Sequence, residues 1–247
     1  AWNVENMCFN VFMYNSIYAD ATQEAASSFE AMSAVNVMVA CSAVVAVLTT
    51  FIMGNLSDKF RNRRLFISVG YIAWGFVTGL FGFITKDNIS SLTGITDEVQ
   101  LLLASVWAVI IMDCIMTAMG STSNDSAFNA WVTDITTPAV RPTVETVLAV
   151  LPLVATVVVL GFNTLAQSGT ISYTTFFIGL GVFVILCGVL GLFILEEPKS
   201  KSPENEKIPY FKNLVYTFRP SVIKENSRLY LALAALCCLS VAFQTFF

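Results

Sequence analysis

Long apolar stretches alternate with short polar segments along the whole chain. Charge-free or nearly charge-free runs occupy 31–53, 65–85, 99–123, 146–166, 174–195 and 229–247, and a more polar run occupies 1–19. Each run approaches the roughly 20 residues that an α-helix needs to cross a bilayer. Barrel strands would be about half as long and would alternate in polarity. The pattern therefore predicts membrane-spanning helices, which we number as spans one to seven in chain order.

Composition supports a membrane protein and argues against a soluble one. Of the 247 residues, 56% are hydrophobic and 12% are charged, whereas roughly one quarter of a soluble domain is charged. The chain has no histidine, so proton chemistry must use carboxylates, and its cysteines lack metal-ligand spacing. We therefore expect no metal site, no cofactor and no enzymatic activity. No nucleic-acid partner is expected either.

Both ends of the sequence fall inside apolar runs, at Ala1 and Phe247. We therefore expect a piece of a longer protein, in which span one is truncated and a missing C-terminal half of the same chain is a partner. The expected domains are a six-helix bundle over 1–195, a cytoplasmic linker over 196–228 and the start of a second bundle over 229–247. Apolar residues between 208 and 218 predict a short amphipathic helix within the linker.

Basic residues sort to one side of the predicted spans. All Lys and Arg residues except Lys86 fall in the loops after spans two, four and six. The opposite side carries acidic residues, namely Asp20, Glu24, Glu30, Asp87, Asp97 and Glu98. Because cytoplasmic loops of membrane proteins are enriched in Lys and Arg, span one is predicted to begin in the cytoplasm. The expected location is a bacterial-type plasma membrane, with the lipid bilayer as solvent.

The loop between spans two and three reads Gly54-x-x-x-Asp58-Lys59-x-Arg61-x-Arg63-Arg64. It resembles the signature loop of the major facilitator superfamily, Gly-x-x-x-Asp-Arg/Lys-x-Gly-x-Arg/Lys-Arg/Lys, and it occupies the same place between spans. One position departs, since an Arg stands where the family usually has Gly. The resemblance implies an all-α membrane protein, the six-helix N-terminal bundle of a transporter.

Two narrower resemblances follow from neighbouring residues. Asp134 and Arg141, between spans four and five, keep the spacing of an acid and an Arg in sugar porters, although Pro138 lies one place late. Residues 51–64 are similar to the glycoside–pentoside–hexuronide cation symporters, whose cation-binding aspartates lie in span two. The apolar part of span two has no acid here. Sodium coupling through that span is therefore not supported, and the subfamily stays open.

The basic-side loops predict a cytoplasmic gate. Gly54 lets helix backbones approach closely, Asp58 can cap a helix N-terminus, and the arginines at 63 and 64 can reach Asp125 or Asp134 at the membrane interface. Such a cluster can close the cytoplasmic side and release during alternating access. The alternative is that the basic residues only determine topology. The predicted gate residues are Gly54, Asp58, Lys59, Arg63, Arg64, Asp134, Arg141 and Glu145.

Polar residues inside the spans predict a substrate or coupling cavity, because such residues are costly in lipid. Asp113 is expected in the cytoplasmic half of span four, either as a proton-exchanging or substrate-contacting carboxylate or as a buried acid paired with a neighbouring helix. Three asparagines and Tyr14 share one face of span one, where they suit a hydroxyl-rich solute or, alternatively, bond to other helices. Glu5 lies off that face. The predicted set is Asn3, Glu5, Asn6, Asn10, Tyr14, Asn36, Trp107 and Asp113.

The sequence thus favours a secondary transporter that moves a small polar solute, such as a sugar, with protons or Na⁺ as candidate coupling ions. The chain contains no Walker-type Gly-rich loop. The alternative is a non-transporting polytopic protein such as a receptor or sensor. A seven-helix receptor would place its N-terminus outside, opposite to the charge sorting. A membrane enzyme would need a clustered metal or nucleophile site.

Overall fold

The structure is a computed structural model that describes residues 9, 11–19, 21–60, 62–197 and 219–246, without the side chains of 58, 59, 167 and 240–246. The described residues form helices and no strand. The α-helices are α1 (Gln23–Ser28), α2 (Ala31–Phe60), α3 (Arg63–Phe81), α4 (Lys86–Thr93), α5 (Glu98–Gly120), α6 (Asn129–Ile135), α7 (Arg141–Gln167), α8 (Tyr173–Ile194), α9 (Pro220–Glu225) and α10 (Ser227–Phe246). Two segments are π-helical, π1 (Met13–Ile17) and π2 (Ser121–Phe128).

Five helices among the described residues are long and apolar enough to cross a membrane. They cover Ala31–Ser57, Arg63–Phe81, Glu98–Ile135, Arg141–Ala166 and Tyr173–Ile194. These helices confirm spans two to six and the all-α membrane fold class. The amphipathic helix predicted over 208–218 lies outside the described residues. Two compact units divide the chain, Ala1–Ser200 and Lys201–Phe247, and the second contains α9 and α10.

The fourth span is longer than its apolar run predicted. Helices α5, π2 and α6 follow one another without a break from Glu98 to Ile135, although six polar residues in a row begin at Ser121. Hydroxyls in that polar run donate to carbonyls one turn earlier, as from Thr122 Oγ1 to Ala118 O at 2.7 Å and from Ser126 Oγ to Thr122 O at 2.6 Å. Because the helix itself satisfies these hydroxyls, the polar run does not end the span.

Helix starts follow from capping residues. Asn62 accepts a hydrogen bond from Leu65 N at 3.2 Å and begins α3. Asp97 accepts from Gln100 N at 3.0 Å and begins α5. Such side-chain oxygens satisfy amide groups that have no partner within the helix. The caps fix where α3 and α5 begin, and therefore which side chains reach the ends of the bundle.

We call the end of the bundle with Arg63, Arg64 and Arg141 the basic end, and the other end the acidic end. At the acidic end, Phe81 of α3 and Phe177 of α8 are fully buried with Phe9 and Phe12. The rings of Phe9 and Phe81 stack with centroids 4.1 Å apart, and those of Phe12 and Phe177 meet edge-on at 5.4 Å. This aromatic cluster attaches the N-terminal segment to α3 and α8.

Candidate functional site

An ion pair joins α3 to α6 at the basic end. Arg63 Nε lies 2.7 Å from Asp134 Oδ2, and the two side chains are 16% and 39% exposed. The Asn62 cap places Arg63 in the first turn of α3, and Asp134 lies in the last turn of α6. Of the carboxylates considered for the predicted gate, the structure thus brings Asp134 to Arg63.

Glu197, three residues after the end of α8, contributes a contact that the sequence did not predict. Its Oε1 accepts a hydrogen bond from Arg63 N at 2.7 Å, and its Oε2 accepts one from Arg64 N at 3.1 Å. The carboxylate therefore caps α3, where the helix dipole favours negative charge. The neighbouring carbonyl of Glu196 accepts from Trp131 Nε1 at 2.9 Å. These two residues link the start of α3 and the end of the fourth span to the sixth span.

The other two arginines of the predicted gate bond to helix ends. The guanidinium of Arg64 donates to the carbonyl of Leu192 in α8, and it forms no ion pair with a carboxylate of the described residues. Arg141 donates to Thr133 O at 2.8 Å and to Thr136 Oγ1 at 3.3 Å. Both guanidinium groups thus satisfy oxygens at the carboxyl ends of α8 and α6.

The remaining predicted gate residues are more dispersed. A Cβ atom at Gly54 would lie 3.9 Å from Ser126 Cβ, so α2 and π2 pass close to each other there. Glu145 is exposed on α7, and its side chain makes no hydrogen bond or ion pair to any other described residue. The side chains of Asp58 and Lys59 lie outside the described residues.

Three of the predicted cavity residues lie on the exposed surface of the bundle. Trp107 of α5 is 50% exposed and Tyr14 of π1 is 41% exposed, and Asn36 of α2 is also exposed. The other span-one members, Asn3, Glu5, Asn6 and Asn10, lie outside the described residues. The π-helical turn at Tyr14 departs from the α-helical spacing by which it was grouped with them.

Asp113 is buried, but it does not lie at the predicted depth. A Cβ at Gly70 would meet Ser123 Cβ at 2.6 Å, and Thr78 Oγ1 lies 3.3 Å from Met116 Sδ, so α3 and the fourth span run antiparallel in this register. Asp113 is about one turn beyond Met116 and is level with Phe81, at the acidic end of α3. Asp113 therefore lies nearer the acidic end of α3 than its place in the apolar run suggests, because the fourth span extends well past α3.

A second acid, Asp125, lies deeper than the interface position expected for it. Its Oδ2 accepts from Ser121 Oγ at 3.0 Å and its Oδ1 accepts from Asn124 Nδ2 at 3.0 Å. Tyr71, in the middle of α3, donates from its hydroxyl to Asn124 Oδ1 at 3.1 Å. We call Tyr71, Ser121, Asn124 and Asp125 the Asp125 cluster. The run of polar residues from Ser121 is visible in the sequence, but the predicted fourth span ends within it, at residue 123.

Metal-ligand side chains do not gather within the described part of the chain. No group of three or more His, Cys, Asp or Glu residues there has the spacing to hold a metal ion. The basic end instead offers helix caps and one ion pair. This arrangement can hold helices together and release them.

Comparison with known proteins identifies the family. The model of the Major Facilitator Superfamily matches residues 6–247, nearly the whole chain. The chain therefore belongs to the major facilitator superfamily, a family of membrane transporters. No curated protein and no solved structure matches it. The resemblance of the loop over 54–64 is thus confirmed at the level of the superfamily.

Proposed function

We propose that the chain belongs to a secondary transporter that moves a small polar solute, a sugar or a similar compound, by alternating access. Its membrane is a bacterial-type plasma membrane, and its basic end faces the cytoplasm. The observation that carries the proposal is the Arg63–Asp134 ion pair at the basic end, beside the Glu197 cap of α3. Together these contacts act as a cytoplasmic gate with Gly54, Asp58, Lys59, Arg64, Arg141 and Glu145.

The exposure of the ion pair suits a contact that forms and breaks. Since Asp134 is 39% exposed, solvent screens the pair, and such partly exposed pairs contribute about 1 kcal/mol or less. A contact of this strength biases one conformation without preventing the other. Rocking of the helix ends can therefore separate Arg63 from Asp134 during each cycle.

The solute class follows from the exposed polar and aromatic side chains. Trp107 offers an apolar ring face, and the amide of Asn36 and the phenol of Tyr14 both donate and accept hydrogen bonds. All three lie on the surface of the bundle, where a second bundle would complete a cavity. Neutral hydroxyl-rich solutes match such groups because none of them requires a charge on the solute.

Asp113 is the candidate for proton coupling, since its side chain is only 3% exposed within an apolar span. The full-length protein would be reconstituted in proteoliposomes and supplied with a panel of radiolabelled neutral sugars. We expect an inward proton gradient to accelerate uptake, and we expect Asp113→Asn to abolish that acceleration.

Unchanged pH dependence in Asp113→Asn would remove this carboxylate as the proton carrier. Absence of uptake across the whole sugar panel, with folded protein in the vesicles, would refute the proposed solute class. Asp87→Asn, which removes an exposed carboxylate at the start of α4, is the matched control and should retain the acceleration.

A further inference from the structure

Two free thiols, Cys41 of α2 and Cys114 of α5, belong neither to the proposed gate nor to the proposed proton site. Both side chains are half-buried, and both pack against the same core cluster of buried residues. They are more than 70 residues apart in the chain, so their spacing in the sequence does not indicate a pair. Only the packing of α2 against the fourth span brings them together.

The two thiols lie at a similar level of the bundle. Helix α2 and the fourth span run in the same direction, since both end at the basic end. A Cβ at Gly54 would lie 3.9 Å from Ser126 Cβ, which fixes the register of the two helices. Cys41 is about 20 Å along α2 from Gly54, and Cys114 is about 18 Å along the fourth span from Ser126. The thiols therefore differ in level by less than about one helical turn.

Each thiol also lies on the buried face of its helix. Cys41 follows Met38 by three residues and Cys114 follows Ile110 by four, which places each cysteine one turn from a buried residue on the same face. Met38 and Ile110 both belong to the core cluster that the cysteines contact. The two thiols also interact electrostatically with each other. Level, face and mutual interaction together place them as neighbours between α2 and α5.

The pair stands apart from the other potential metal ligands of the described residues. Cys187 of α8 is exposed and lies level with the middle of α3, because a Cβ at the adjacent Gly188 would be 2.9 Å from Ile72 N. Cys114 lies instead towards the acidic end of α3, beyond Met116. No group of three or more His, Cys, Asp or Glu residues gathers in the described part of the chain. The site thus offers two thiols.

Two thiols as the whole ligand set indicate which metal ion fits. Thiolate ligands prefer soft ions, and a structural Zn²⁺ ion needs four ligands. The soft ion Hg²⁺ is held by two thiolates in linear coordination. Because each thiol loses one proton, Hg²⁺ with two thiolates is neutral overall, whereas a monovalent soft ion would leave a negative charge. A neutral product is favoured in an apolar span, where an uncompensated charge is costly.

We propose that Cys41 and Cys114 bind one soft divalent metal ion of the Hg²⁺ type between their sulfur atoms. One metal–sulfur bond forms at each cysteine, and the two S–H protons pass to solvent. The bound ion cross-links α2 to the fourth span. The site goes beyond the proposed transport function and does not depend on it, since metal binding requires only the folded helices.

Competition with a monothiol tests whether both sulfur atoms hold the same ion. Full-length variants would retain Cys41 and Cys114 together or either cysteine alone, with every other cysteine replaced by serine. Each purified variant would be loaded with HgCl₂ and dialysed against increasing 2-mercaptoethanol. Because the second thiolate binds the same ion intramolecularly, the two-thiol variant should retain Hg²⁺ to at least about hundredfold higher competitor than either single-thiol variant.

The matched control variant retains Cys114 and Cys187, so that it has the same number of thiols at different levels of the bundle. It should release Hg²⁺ as readily as the single-thiol variants. If the variant with Cys41 and Cys114 releases Hg²⁺ as readily as this control, the proposal is overturned.

A second measurement uses the unmodified full-length protein and applies even if the serine variants do not fold. The protein would be loaded with HgCl₂, digested with a protease and analysed by mass spectrometry. We expect Hg²⁺ to join the peptide that contains Cys41 to the peptide that contains Cys114. Recovery of Hg²⁺ only on other cysteines would contradict the proposed site.

Discussion

Helix α3 packs against α8 and against the fourth span, and it meets them in different ways. Towards α8 the contact is between backbones, because a Cβ at Gly75 would lie 2.5 Å from the carbonyl oxygen of Gly181. Towards the fourth span Gly70 also lies close to Ser123, but polar side chains pair as well. Arg63 contacts Asp134 at the end and Tyr71 contacts Asn124 in the middle. One helix thus forms a glycine seam on one side and a polar seam on the other.

We interpret the contact between α3 and α8 as fixed and the contact between α3 and the fourth span as one that can change. Closely packed backbones stabilise by van der Waals contact and leave no side chain to rearrange. Side-chain hydrogen bonds and ion pairs can exchange partners at a cost of about 1 kcal/mol each. We therefore expect α3 and α8 to move together, and movement to occur between α3 and the fourth span.

The largest fall in the thermal unfolding midpoint is expected when a side chain is introduced into the glycine seam. In Gly181→Ala the new Cβ would lie 2.5 Å from Gly75 O and 2.8 Å from Gly79 N, so the backbones must separate. Overpacking of this kind costs about 1–3 kcal/mol. The thermal unfolding midpoint of the full-length protein should fall accordingly.

Gly79→Ala is the matched control, since a Cβ there meets nothing within 4 Å. It should leave the midpoint unchanged or raise it, because Ala favours the helix over Gly by about 1 kcal/mol. An equal fall of the unfolding midpoint in Gly181→Ala and Gly79→Ala would show that the glycine seam does not depend on close backbone contact.

A smaller fall in the unfolding midpoint is expected when one hydrogen bond of the polar seam is removed. Tyr71→Phe removes the hydrogen bond to Asn124 and keeps the ring. Since a single hydrogen bond contributes about 0.5–1.5 kcal/mol, the unfolding midpoint should fall less than in Gly181→Ala. A loss larger than that of Gly181→Ala would reverse the assignment of the fixed and changeable contacts.

The sequence was sufficient for spans two to six, because long apolar runs cross a membrane as helices whatever they pack against. It also predicted that Arg63 could pair with Asp134. The Glu197 cap could not be found in the same way, since it joins positions more than 130 residues apart in the chain. Only tertiary packing brings these residues together.

The positions of Asp113 and Asp125 relative to the ends of α3 could not be predicted from the sequence either. An apolar run does not show at what level its helix begins relative to the other spans. Helix α5 begins well beyond the acidic end of α3, so Asp113 moves towards that end and Asp125 towards the middle. The predicted fourth span ends at residue 123, within the polar run from Ser121, because hydroxyls satisfied inside the helix are not visible in composition.

The central claim is that the Arg63–Asp134 pair belongs to the gate of a transporter. It is tested most directly by uptake in proteoliposomes with Arg63→Asp, Asp134→Arg and the double exchange, each checked for an unmodified unfolding midpoint. Either single change places like charges together, which should lower uptake by roughly tenfold, or about 1.4 kcal/mol. The double exchange should restore most of it, as expected for directly coupled residues. An equal loss of uptake in all three variants, or no loss of uptake in any of them, would contradict the assignment of the Arg63–Asp134 pair to the gate.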